Sequence, residues 1–444
     1  MENYSTLEVR YDQSGDPYSV FEPSKEPPEP VFSTQSESTY ACDTAPSSVS
    51  QSSPKPCRIW GMRRRVFYVL LTLIILIIIG AIAGGVAGSL GSRRHSIEAN
   101  PENVNNNTTP NENTGQGRIF VNSSLAASSL VDEGGNTIRS VFFQDNSGAI
   151  ILRQWDSQTT TWKTRNLTSS LIRDTSQSDI WTYLGTPLAA ASLEFGARHH
   201  YETWVWFFTP DNGIQLVGSI DSTFTETKIS IDNLPLTIYP ASESRLAVAW
   251  QGCPSDCIGS WILAFQDQDG QIGIANASST WHLQATLNEI VSVGSPMAIV
   301  PQENGGGLTN LSLLIEDSSD SSARNFQSYS VSGDGDWQTN GQILNNLPHA
   351  SASQLVGTTL SNYTQQYFLT LLPNGTVAGF VLNETEVINI YQAVEFTSGP
   401  SVHFSSIATT LDATFYGISN DEVLEYRIDP GNPGVFNYVG VVYT

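Results

Sequence analysis

From Arg118 to Thr444 the chain repeats one pattern: short apolar or aromatic runs separated by clusters of Gly, Asp, Asn and Ser. No long stretch there holds a 3.6-residue period, so the pattern predicts strands and an all-β domain. Residues 137–156, "TIRSVFFQDNSGAIILRQWD", read as strand, Asx–Gly turn, strand. The unit recurs at residues 200–220, 259–276, 366–383 and 412–429, and in a worn copy with a longer loop at 311–331. Turn glycines at Gly148, Gly213, Gly270 and Gly375 keep the register. Six hairpins at a spacing of about 50–60 residues suit the four-stranded blades of a propeller. A flat sandwich would give no reason for six like units.

Small residues precede several hairpins: "SSLAAS" at 123–128, "GTPLAAAS" at 185–192, "GSPMAIVP" at 294–301 and "GPSVHFSSI" at 399–407. They fit innermost strands, where blades converge and room is scarce. Each blade is then expected to hold a small-residue inner strand, the hairpin, and an outer strand ending near an aromatic such as Trp162, Trp281 or Trp337. An unclosed array would leave strand edges free to pair with other chains. Residues 117–122 and 436–444 are therefore expected to share one blade.

Ahead of this domain the pattern is different. Residues 66–90, "VFYVLLTLIILIIIGAIAGGVAGSL", carry no charge, and at about 1.5 Å per residue they reach across a hydrocarbon core of about 30 Å. Lys55, Arg58, Arg63, Arg64 and Arg65 precede the run, while Arg93 and Arg94 follow it. The richer side stays cytoplasmic, which predicts a single-pass membrane protein, N-terminus cytoplasmic and C-terminal domain extracellular or lumenal. N-x-S/T triplets agree: Asn106, Asn107, Asn122, Asn166, Asn276, Asn310, Asn362, Asn374 and Asn383 begin one after the run, and Asn3 alone before it. Residues 1–65 are rich in Ser, Pro and Glu and read as a disordered cytoplasmic tail. Tyr4 and Tyr18 there open tyrosine-based sorting patterns, and Cys57 is a thiol close to the bilayer. Residues 91–117 read as a flexible Asn/Pro/Gly-rich stalk, leaving 118–444 for the propeller.

Composition narrows the function. A formal net charge of −23 argues against nucleic acid, whose phosphates demand a basic surface. No Cys/His set has metal-ligand spacing, and the neighbours His199 and His200 would point to opposite faces of a strand. Cys253 and Cys257, a C-x3-C pair in a loop, predict a local disulfide outside the cell. "SGDGDW" at 332–337 resembles the structural turn box of sialidase propellers, one residue short, but no arginine cluster for an acidic substrate accompanies it. No carboxylate pair is singled out for glycoside hydrolysis. Nine tryptophans lie beyond the apolar run: Trp155, Trp162, Trp181, Trp204, Trp206, Trp250, Trp261, Trp281 and Trp337. Rings of this kind pack on the C–H faces of sugars, but most are expected to fill space between blades.

Six such units, "GTPLAAAS" ahead of a hairpin, and "IRSVFFQDNSGAIILRQWD" with Trp162 following together resemble the fungal fucose-specific lectin family. The resemblance spans roughly 118–444. It implies a six-bladed β-propeller that binds fucose between blades, using an arginine in the first hairpin strand, a glutamate shortly after the turn, and a stacking aromatic. Arg139 lies five residues before Gln144, where the family pattern places its arginine four before, and a one-residue slip turns a side chain to the other face of a strand. The family's glutamate position holds Leu152 in the first unit, and only Glu425, in "DEVLEYR", matches it. The implied candidates are Arg139 and Glu425 for polar contact and Trp155 for stacking. The expected function is non-catalytic carbohydrate binding, with glycans or glycoproteins as partners and no cofactor. The alternatives are a propeller that has lost sugar binding and serves protein partners, and an extracellular glycosidase.

Overall fold

A computed structural model describes residues 117–444 apart from short internal segments, the longest of them 172–181, 253–258 and 318–323. The tail, the apolar run at 66–90 and most of the stalk lie outside the described residues, as do Cys253, Cys257, His199, Trp181 and Asn362. Among the described residues no helix is long and apolar enough to cross a membrane.

The described chain forms six antiparallel blades around an axis. Blade 1 holds β1 (Ala126–Val131), β2 (Thr137–Gln144), β3 (Ile150–Asp156) and β4 (Thr161–Asn166), followed by the one-turn α1 (Leu167–Leu171). Blade 2 holds β5 (Leu188–Phe195), β6 (His200–Phe208), β7 (Ile214–Ser219) and β8 (Ile229–Asn233). Blade 3 holds β9 (Leu246–Gln251), β10 (Ser260–Gln266), β11 (Gln271–Ala277) and β12 (His282–Ile290). Blade 4 holds β13 (Met297–Asn304), β14 (Gly307–Asp317), β15 (Arg324–Ser332) and β16 (Gln338–Leu347). Blade 5 holds β17 (Gln354–Leu360), β18 (Gln365–Leu371), β19 (Val377–Asn383) and β20 (Glu386–Tyr391). Blade 6 holds β21 (Glu395–Thr397), β22 (Ser406–Thr409), β23 (Thr414–Ser419), β24 (Glu422–Asp429) and β25 (Asn432–Tyr443). Every one of the six predicted hairpins is the central strand pair of a blade.

The turns explain the register. Gly148, Gly270 and Gly375 have positive φ, which glycine adopts without cost. The turn between β23 and β24 has no glycine; Asn420 and Asp421 take the two left-handed positions instead, as short polar side chains tolerate. Inner strands β1, β5 and β13 begin three residues after the start of their small-residue stretches and β22 seven, and the sequence marked no such stretch ahead of β9 and β17. Trp162 stands near the start of an outer strand, and Trp281 and Trp337 immediately precede one, so these aromatics open the outer strands where the sequence placed them at the ends.

Closure also differs. Residues 117–122 lead into blade 1, where Ile119 bridges Asp145. The C-terminal β25 pairs with β24 as the outer strand of blade 6, and β21 pairs in parallel with its far edge. Once β25 is flanked on both sides over Val435–Asn437, that stretch has no edge left for residues 117–122. The ring closes instead by packing: the Tyr443 hydroxyl donates to the Gly117 carbonyl at 2.6 Å, and Phe143 meets Tyr443 with ring centroids 4.7 Å apart.

Six apolar seams, one between each pair of neighbouring blades, form the core. Val141, Phe143, Tyr416 and Tyr443 sit in the seam of blades 6 and 1. Phe142, Leu152 and Val205 fill that of blades 1 and 2. Trp206, Trp261 and Phe265 fill that of blades 2 and 3. The other three seams are built alike. Buried polar side chains tie blade to blade beside them. Gln144 accepts from Gly185 N–H at 2.9 Å and donates to the Tyr183 carbonyl at 3.0 Å, both on the approach to blade 2. Gln266 does the same to Gly294 and Val291 ahead of blade 4, and Glu316 accepts from Ala352 N–H ahead of blade 5.

Candidate functional site

Strand β2 pairs regularly with β1 and β3, with no bulge between Arg139 and Gln144. Alternation therefore decides where each side chain goes. Gln144 shares a face with Phe142, toward blade 2, and Arg139 shares the opposite face with Val141 and Phe143, toward blade 6. The one-residue slip seen in the sequence thus carries Arg139 across its sheet. On β3 its direct partner is Trp155. On β24, Glu425 stands opposite Tyr416 and faces blade 1. The three residues chosen from the sequence, on two blades, meet in one seam.

Their arrangement is a layered charge cluster. The Arg139 guanidinium lies 4.6 Å from the Trp155 ring centroid. Its Nε donates to Asp412 at 2.8 Å and its Nη1 to Glu425 at 3.2 Å, with Nη2 2.8 Å from the same Asp412 oxygen. Arg427 reaches Asp412 at 4.0 Å. Trp162 stands edge-on to Tyr416, 6.2 Å away. The Arg139 and Glu425 side chains are 6% and 5% exposed, against 27% for Asp412 and 47% for Arg427. Arg139 and Glu425 therefore form the buried wall of the cluster, and Asp412, Arg427 and half-buried Trp155 form its rim. Asp412 and Arg427 were missed in the sequence. Asp412 sits in the β22–β23 turn, bonded to Thr410, and a turn aspartate carries no sign of a long-range partner. The signal available for Arg427 was its i, i+2 spacing from Glu425, which puts both on one face.

The cluster separates its carboxyls electrostatically. Burial pushes Glu425 above the ordinary value of 4.5, and Arg139 and Arg427 pull it only part of the way back. Burial acts the same way on Asp412, but Arg139 and Thr410 outweigh it and hold that carboxyl low. Burial disfavours the Arg139 cation, and Asp412, Tyr416 and Glu425 together more than reverse this. From 4.5 up to the raised value, the folded chain holds a proton on Glu425 that the unfolded chain has released. That contribution to stability is complete below 4.5 and declines as pH rises through the raised value. Glu425→Gln is expected to remove this decline, read as urea midpoints of both proteins compared from pH 4.5 to about 7. Parallel profiles would show that Glu425 does not titrate in this window.

A second groove lies between blades 4 and 5, about 760 Å³ in volume. Glu303, Asn310, Asp336, Gln338, Asn340 and Glu384 line it, with no cation among its described residues. The remaining described tryptophans are placed otherwise. Trp204, Trp206, Trp250 and Trp261 are buried between blades 2 and 3, with Trp281 packed against them, and Trp337 packs against the seam of blades 3 and 4.

No family model matches the chain, and no curated protein matches it. Solved structures do. A lectin of Aleuria aurantia, seen with α-methyl-L-fucoside, superposes with a TM-score of 0.57 at 15% identity, over 74% of this chain and 98% of that one. AofleA of Arthrobotrys oligospora gives 0.53 at 14% identity, over 73% and 88%. The SapL1 lectin, in complex with α-methyl fucoside, gives 0.50 at 13% identity, over 73% and 98%. The Aleuria lectin is described as a six-bladed β-propeller. This chain has the same fold.

Proposed function

We propose that the ring binds carbohydrate without transforming it, in a groove at the rim of the blade 6–blade 1 seam. The observation that carries this reading is the convergence of Trp155, Arg139 and Glu425 there, with Asp412 and Arg427 open to solvent beside them. An aromatic ring flanked by a carboxylate and a guanidinium suits a sugar. The C–H face packs on the ring, and hydroxyls accept from Arg427 and donate to Asp412. Arg139 and Glu425 position that rim and offer their remaining polar atoms behind it. The fold likeness to lectins seen with fucosides makes α-L-fucose the first ligand to test. The open, cation-free groove between blades 4 and 5 suits neutral glycans as a second place of contact.

On this reading the ring is carried by a single membrane span at residues 66–90. The tail 1–65 faces the cytoplasm, the stalk 91–117 acts as spacer, and the ring faces outside or into a lumen.

A glycan array with the full chain in detergent tests this. Binding of fucosylated glycans is expected, weakened about three- to tenfold by Trp155→Ala through loss of the packing face, and weakened also by Arg139→Ala and Glu425→Ala. Binding left unchanged in all three variants overturns the site. An empty array with co-purifying membrane proteins favours a protein scaffold, and release of reducing sugar from the same panel favours hydrolysis.

A further inference from the structure

The six inner strands β1, β5, β9, β13, β17 and β22 surround an axial channel, and the chain approaches each in the same way. A Ser or Thr comes first: Ser123, Thr186, Ser244, Ser295, Ser353 and Ser405. In blades 1, 2 and 3 its hydroxyl accepts from the last N–H of the neighbouring strand or its equivalent, at Gln144, Phe208 and Gln266. In blades 1 to 5 the next residue lines the channel mouth. In five blades it is uncharged: Ser124, Pro187, Pro296, Gln354 and Ser406. In blade 3 it is Arg245.

Arg245 is the single charged residue among the described residues lining the channel at either end. Its Nε is buried with no hydrogen-bond acceptor, and no carboxylate pairs with it among the described residues. Burial pulls its guanidinium below the ordinary value, with the Tyr183 phenol offsetting part of that. Below it the walls are small and apolar: Ala127, Ala190, Val248, Ile299 and Gly357. The buried charges of the blade 6–blade 1 seam have partners; Arg245 is half-buried, and its Nε has none. A guanidinium left without one at the head of an apolar tube calls for a counter-ion from outside the chain.

We infer that the axial channel is a binding site for small carboxylic acids, with the carboxylate paired to Arg245 and a short aliphatic tail lying along the alanine-lined wall. Arginine's planar fork matches a carboxylate in two-point contact. The tail gains by leaving water for the stretch of wall formed by Ala127, Ala190, Val248 and Ile299, ahead of the hydroxyls of Ser128, Ser192 and Thr409. This site is separate from the blade 6–blade 1 seam and does not depend on the sugar-binding reading.

Calorimetry on the full chain in detergent tests it, with sodium acetate, butyrate, hexanoate and sulfate at matched ionic strength. Affinity is expected to rise from acetate to hexanoate. Arg245→Gln should weaken hexanoate binding at least about tenfold. Ala190→Leu, which fills the tube beneath a kept Arg245, should abolish the gain with tail length and leave acetate binding in place. Glycan binding should be unchanged in both variants. The site is overturned if hexanoate binds the parent and Arg245→Gln equally, if none of the carboxylates binds, or if sulfate binds and hexanoate does not.

Discussion

Arg139→Met is expected to lower the stability of the ring by about 3–5 kcal/mol, the cost of removing one partner from a buried ion pair. The size follows from what stays behind. Glu425 is 4% exposed and loses the cation that faces it at 3.2 Å. Asp412 loses two contacts at 2.8 Å and keeps only the longer approach of Arg427. Methionine fills most of the arginine stem's volume, so lost packing adds little. The double variant Arg139→Met, Glu425→Gln should recover part of the loss, because a buried amide costs less than a buried unpaired carboxylate. Urea denaturation reads both, as midpoints at a constant slope. A change below about 0.5 kcal/mol for Arg139→Met would show that the cluster is solvated enough to behave as a surface pair.

The same cluster shows how far the sequence could be read. Short apolar runs located all six hairpins, four of them with a turn glycine, because the central strands of each blade are covered on both faces and must be apolar. Outer strands are half-exposed, as in β4, β12 and β20, so hydrophobicity marks them poorly. Inner strands were found where small-residue stretches mark the approach, at β1, β5, β13 and β22, of which β5 and β13 carry Gly-x-Pro, and were missed at β9 and β17, where Ser-Arg and Ser-Gln take the place of its last two residues. Closure was misjudged for a topological reason: Val435–Asn437 acquires a partner from residues 395–397, a parallel contact that leaves no local signature.

For the site, alternation along β2 was legible and its consequence was not. A separation of five positions between Arg139 and Gln144 already meant opposite faces, but which neighbouring blade each face meets depends on the direction of the ring. Arg139 could be named from sequence, while its partners Asp412 and Glu425 lie 273 and 286 residues away. The bridging role of Gln144 and Gln266 was hidden in the same manner. In sequence they are polar residues at strand ends; in the fold they satisfy backbone groups of the next blade.

Trp206→Ala should be equally destabilising, about 3–5 kcal/mol, and should leave glycan affinity untouched. Trp206 is fully buried, with ring centroids 5.4 Å from Trp261 and 6.2 Å from Trp281. The seam it fills lies two blades from Arg139, and nothing of it faces the proposed sugar site. Its indole N–H has no acceptor among the described residues, so the ring is held by packing alone. Trp206→Phe keeps an aromatic face and removes that unpaired donor, and should cost less than half as much as alanine. Trp155→Ala is expected to behave in the opposite way: little change in stability, a clear loss of binding. The pair of measurements divides the tryptophans into those that build the ring and those that serve it. If Trp206→Ala lowered glycan affinity at temperatures where the chain stays folded, the seam of blades 2 and 3 would belong to the binding surface, and the assignment to blades 6 and 1 would be incomplete.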